Sequence, residues 1–105
     1  MFRSYQVIRD PIHFRLMNLL RNKRLSADDL QKILNMPINE IRQHLKKLHQ
    51  IGLINCDLTS PLDMCRINDS FIEDNPFFYE MALAQMNQNP LYQDDLLRLQ
   101  HLTQD

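Results

Sequence analysis

The chain has 105 residues, enough for one hydrophobic core and too few for two. Hydrophobic residues make up 44% and charged residues 24%, an ordinary balance for a globular domain, and a single glycine argues against a turn-rich β architecture. The net charge of −1 hides an asymmetry: residues 1–50 carry ten Lys/Arg against four Asp/Glu, whereas residues 51–105 carry two against nine. A basic half is what one face needs if it meets phosphate. The plainer reading is a solvated surface with uneven charge.

No apolar run approaches the ~18 residues of a membrane span. The opening "MFRSYQVIRDP" lacks the long apolar stretch of a signal peptide. The expectation is a cytoplasmic protein with no membrane partner. Two cysteines, Cys56 and Cys65, do not make a disulfide framework.

A first short helix is possible over Phe2 to Ile8. Asp10-Pro11 then opens a helix, with Asp as cap and Pro at the first helical position. Ile12, Leu16, Leu19 and Leu20 recur at helical spacing, and "RNKR" closes the segment. Ser26 caps the next helix, with Asp28 and Asp29 in its first turn and an apolar stripe of Ala27, Leu30, Ile33 and Leu34. "NMP" breaks it. The third helix carries Ile38, Ile41, Leu45 and Leu48 on one side. At 100° per residue its outward side centres on Asn39, Gln43, Lys46 and Gln50, flanked by Arg42 and Lys47. Gly52 stops it.

"LINCD", "LTSPL" and "DMCRIN" read as strand, turn, strand, with Leu53, Ile54, Met64 and Ile67 as anchors and Pro61 in the turn. Asn75-Pro76 opens a helix that is apolar nearly all round, through Phe77, Phe78, Tyr79, Met81, Ala82, Leu83, Ala84 and Met86. Such a helix needs cover on two sides, the second from another subunit. Asn89-Pro90 opens a last helix ending near Leu102. The predicted architecture is mainly α with a short β-hairpin, in the order α-α-α-α-β-β-α-α: a winged helix-turn-helix in a single domain, residues 1–105.

Three stretches carry a family resemblance. "DPIHFRLMNLL" is similar to the opening Asp-Pro-Thr-Arg-Leu-Arg-Ile-Leu helix of the ArsR/SmtB-type bacterial repressors. "LSADDLQKILNMP" resembles their Leu-Ser-x-x-Leu-Ala-x-x-Leu helix. "EIRQHLKKLHQIGLI" resembles their Val-Ser-x-His-Leu-x-x-Leu-x-x-Ala-Gly-Leu-Val segment. Other winged-helix families share the last pattern. "NPFFYEMALAQM" sits where the family places its dimer helix. The resemblance implies a homodimeric repressor whose helix at 38–50 enters the major groove of a two-fold operator in double-stranded DNA, with half-sites ~34 Å apart. It likewise implies a DNA-binding core over about 10–68 and dimerisation helices over 1–9 and 75–102.

Under that reading Asn39, Arg42 and Gln43 offer base-edge hydrogen bonds, and Lys46, Lys47 and Arg42, joined by Arg21, Lys23 and Arg24, offer phosphate contacts. His44 matches a family position near the DNA backbone. Phe77, Phe78, Met81 and Ala84 are the expected dimer interface. This chain departs from the pattern in having Pro37 where the family has a Ser or Thr cap, Ile38, Asn39 and Glu40 where it often has Gln, Ser and Thr, and no arginine-rich wing tip. Those departures, with the acidic second half, motivate an alternative: a winged-helix module that docks on protein.

The family's usual metal sites are missing. "LSADDL" holds no cysteine, and the helix after the hairpin has no histidine and only Glu80 as a mid-helix carboxylate. No metal and no cofactor are expected. His13, His44, His49 and His101 are scattered along the chain, with His13 expected on a helix flank. Cys56 and Cys65 fall on opposing strands if the hairpin turns at Ser60-Pro61. They are either small apolar packing residues or a thiol pair able to oxidise together or bind a soft ion. The chain shows no Ser/His/Asp order, paired catalytic carboxylates or glycine-rich phosphate loop, so no enzyme activity is expected.

Overall fold

A computed structural model describes residues 10–57 and 64–103. The expected helix at Phe2–Ile8 and the turn at Ser60-Pro61 lie outside these. The described elements are α1 (Pro11–Leu20), α2 (Ala27–Leu34), α3 (Ile38–Gln50), β1 (Ile54–Cys56), β2 (Cys65–Ile67), α4 (Asp69–Asp74), α5 (Pro76–Gln88) and α6 (Pro90–Thr103). This is the helix-turn-helix order followed by an antiparallel hairpin.

Local chemistry sets the boundaries. The Asp10 carboxylate accepts from the Ile12 amide at 3.0 Å, satisfying one open amide of α1. Ser26 and Asp29 form a reciprocal capping box at the start of α2. Helix α2 ends on Asn35 in the left-handed region (φ 54°), a conformation asparagine tolerates, and this reverses the chain into α3. Pro37 precedes α3 and contributes no side-chain cap. Gly52 (φ +88°) turns the chain from α3 into β1, and its carbonyl accepts from the Asn68 side chain at 2.8 Å. Helix α5 starts at Pro76, as the Asn75-Pro76 pair predicts; the Asn75 side chain makes no cap, and its amide donates to the Phe71 carbonyl. Helix α4 was not anticipated. Its start is fixed by the Asn68 side chain, which accepts from the Ser70 amide.

The core is built by Leu16, Met17, Leu19 and Leu20 of α1, Leu30, Ile33 and Leu34 of α2, and Ile41, Leu45 and Leu48 of α3, closed by Leu53 and Ile54. Strand β1 pairs with β2 in the register Ile54↔Ile67, Asn55↔Arg66, Cys56↔Cys65. Leu25 bonds Cys65 through both backbone groups, at 3.0 and 2.8 Å, so the hairpin is tied to the segment between α1 and α2.

Helix α6 lies against α1, α2 and α5. Its anchor is Asp95, fully buried, which takes two 2.9 Å hydrogen bonds from the Arg15 guanidinium. The bonds to Asp95 hold the Arg15 pKa above its ordinary value, against the opposing effect of burial. Asn18 donates to the Tyr92 carbonyl, and Arg98 to the Ile33 carbonyl. Asp95 is enclosed and the Arg15 side chain is 17% exposed, so removing Asp95 leaves a guanidinium that water reaches only in part. Asp95→Ala is therefore expected to cost roughly 3 kcal/mol or more in urea denaturation; a loss below ~1 kcal/mol would mean that α6 is held mainly by its apolar contacts.

Candidate nucleic-acid interface

Helix α3 divides cleanly. Ile41, Leu45 and Leu48 are buried, Ile38 is partly covered, and Asn39, Arg42, Gln43, Lys46, Lys47 and Gln50 are exposed. Burying each aliphatic side chain contributes ~1.5–3 kcal/mol, so this stripe is ample to hold the helix against α2 while its polar side stays open. Glu40 sits in the first turn, where the helix dipole favours a carboxylate, and this gives it a local role independent of any partner.

Basic side chains from other elements lie beside this surface. A cavity of about 240 Å³ is lined by Arg42, Lys46 and His49 of α3 together with Cys56 and Cys65. Cys56 also borders a second cleft with Arg24, Asn55 and Arg66. Arg24 and Arg66 in turn border a third, with Arg21 and Lys23. The clefts adjoin through shared residues, but Asp57 and Asp69 line them too and the cavity beside α3 is mostly apolar, so Arg21, Lys23, Arg24 and Arg66 form a basic cluster beside the hairpin rather than an unbroken surface with α3. Arg66, an isolated charge in the sequence, belongs to that cluster. The tip of the wing lies outside the described residues.

His44 is placed differently from its neighbours. It is half-buried, and its Nδ1 lies 2.9 Å from Nε2 of His13. His13 is only 3% exposed, so the expectation of a helix-flank position is corrected: its side of α1 faces inward, with the His44 ring edge-on to it. The Asp10 carboxylate lies near both rings. Scattered sequence positions concealed this grouping.

Cys56 and Cys65 are joined as a disulfide across the hairpin. Both backbone groups of Cys65 bond to Leu25 rather than to Cys56, so the two cysteines form a non-hydrogen-bonded pair, the register position at which opposing side chains approach most closely. His49 of α3 joins the same strand: its Nδ1 lies 3.3 Å from both the Cys56 amide and the Ile54 carbonyl. Helix α3 and the cysteine pair thus share a contact.

On α5, Phe78, Ala82 and Met86 point into the chain's own core, with Phe78 edge-on to Phe71. The expectation that Phe78 serves a partner is corrected, because its ring is 4% exposed. Phe77 (84% exposed), Met81 (48%) and Ala84 lie at i, i+4 and i+7 on the open side.

Three helices, a reversal at Asn35 and a hairpin beside an exposed basic helix define a winged helix-turn-helix, a DNA-binding class. Residues 10–55 match the family described as bacterial regulatory protein, arsR family, and this segment is an ArsR-type helix-turn-helix domain. Its function is that of a DNA-binding transcriptional regulator. The family is one of regulators rather than enzymes. No curated protein matches the chain. Among the described residues no helix is long and apolar enough to cross a membrane.

Proposed function

We propose that the chain is a homodimeric transcriptional repressor acting in the cytoplasm on a two-fold operator. The observation that carries this is the open polar side of α3, with Arg21, Lys23, Arg24 and Arg66 grouped around the clefts of the neighbouring hairpin. In this reading Asn39, Arg42 and Gln43 read base edges: amides suit adenine and a guanidinium suits guanine. Lys46 and Lys47, with Arg21, Lys23, Arg24 and Arg66, meet phosphate. His44 is turned towards His13, so its part is to brace the helix from behind more than to reach the backbone.

The dimer rests on the stripe of Phe77, Met81 and Ala84. An almost fully exposed phenylalanine beside an exposed methionine is the kind of surface that subunit contact covers. A two-fold dimer presents two copies of α3, and operator half-sites follow its symmetry.

A specific observation favours a thiol switch on the same regulator. DNA-associated chains work where thiols are kept reduced, so a cross-strand disulfide there is a state reached on oxidation. Joining Cys56 and Cys65 releases two protons and passes two electrons to an oxidant, and a dithiol returns them. His49 links that bond to α3 through the Cys56 amide, so wing geometry and helix position are coupled.

Three measurements test these readings. Operator DNA is first selected from a random pool. Lys46→Ala should then weaken binding to all duplexes alike and flatten the salt dependence by about one unit, whereas Gln43→Ala should relax sequence choice. Wild-type binding by both variants would remove α3 from the groove, and no affinity for any duplex at low salt would favour a protein-docking module. Phe77→Asp should convert a dimer into a folded monomer by native mass spectrometry; a wild-type monomer at micromolar concentration would defeat the dimer. Dithiothreitol should change operator affinity by about fivefold or more in the wild type and leave Cys56→Ser unaffected. Equal affinity in the two redox states would eliminate the switch.

A further inference from the structure

Asp10, His13 and His44 assemble at a place that the DNA reading does not use. Asp10 and His13 stand three residues apart on the first turn of α1, which puts them on one side of the helix. His44 reaches them from the middle of α3, beside the buried Leu45. The two imidazoles face each other at 2.9 Å, with ring planes 74° apart. One ligand atom from each of the three residues lies within 4.8 Å of the other two.

We propose that this cluster is a binding site for a divalent transition ion of the zinc, cobalt or nickel type, held by His13 Nε2, His44 Nδ1 and the Asp10 carboxylate, with water completing the coordination. The donor set carries the choice of ion. Two imidazoles and one carboxylate suit borderline cations, whereas calcium and magnesium want oxygen and copper(I) wants sulfur.

The spacing fits as well. Bonds of ~2.0–2.1 Å in a tetrahedral site put ligand atoms ~3.3 Å apart. The histidine nitrogens are already at that scale. Asp10 is exposed, so its carboxylate is free to turn inward, exchanging the bond from the Ile12 amide for the ion. The histidine pair must open slightly: the ring that supplies the shared proton changes tautomer, and the half-buried His44 ring turns so that both nitrogens, now ~3.3 Å apart, aim their lone pairs at one point beside the line that joins them. His13 is enclosed by the fold, so its donor atom is positioned before any ion arrives.

Such a site differs in kind from ligands on one helix. It bridges α1 and α3, so an occupying ion fixes the recognition helix against the opening helix. The metal site itself does not depend on DNA binding, and its test uses no DNA.

The experiment is a titration of the disulfide form of the full chain, in which the thiols are withheld, with Co2+ followed by visible absorption. A competition between Zn2+ and a chromophoric chelator then gives the affinity. One equivalent per chain is expected, with the intense ligand-field bands of a four- or five-coordinate ion. His44→Gln and Asp10→Ser should each weaken binding more than ~10-fold, and Asp10→Ser keeps a capping side chain so that α1 still starts normally. His101→Gln should change nothing. Circular dichroism establishes that each variant is folded, and since His44 and Asp10 are not fully buried, they test the site even if His13→Gln fails to fold. No saturable binding in the wild type, or equal binding in wild type and His44→Gln, overturns the proposal.

Discussion

The burial of Ile41, Leu45 and Leu48 is the constraint on which the rest of the molecule depends. These three side chains fix both the position and the rotation of α3, and the exposure of Asn39, Gln43 and Lys46 follows from that rotation. The helix has no side-chain cap at Pro37, so its start depends on the reversal at Asn35 and on this stripe. Its end is tied down by Gly52 and by His49, which bonds to β1. A polar surface that is mounted so firmly can present its groups to a partner without first being ordered, which lowers the entropic cost of association.

The two histidines of the middle and last part of α3 connect it to different neighbours. His44 faces α1 through His13, and His49 faces the hairpin at Cys56. Both lie on the flanks of the aliphatic stripe, where a side chain is neither wholly in the core nor wholly in water. The helix proposed to read DNA is thereby in contact with two chemically reactive groupings among the described residues, the His/Asp cluster and the cysteine pair. A change at either has a short path to it.

Helix α6 has a different task. It crosses α1 and α2, and its buried carboxylate meets Arg15 in a paired geometry that supplies direction as well as energy. Apolar contacts alone would let α6 slide along the body. With α6 fixed, α5 is held with one side in the core and with Phe77 and Met81 on the other, open to a second subunit.

Much of this was legible in the sequence because it follows from local rules. Apolar spacing placed the stripes of α2 and α3, Asp10 and Ser26 marked the starts of α1 and α2, and Gly52 marked the end of α3. The split of α3 into a buried and an exposed side needed only a 100° step per residue. The tertiary structure alone decided how separated residues meet. His13 and His44 are 31 positions apart, and only the folded chain brings them together. Periodicity showed that α5 had two apolar sides but not which one the chain would keep for itself, so the fate of Phe78 depended on packing. The cysteines were placed on opposing strands by the sequence pattern, yet their direct pairing required the register set by Leu25 and β2. Local propensity fixes which face of an element is apolar; the meeting of two faces depends on the crossing of elements, which no single segment encodes.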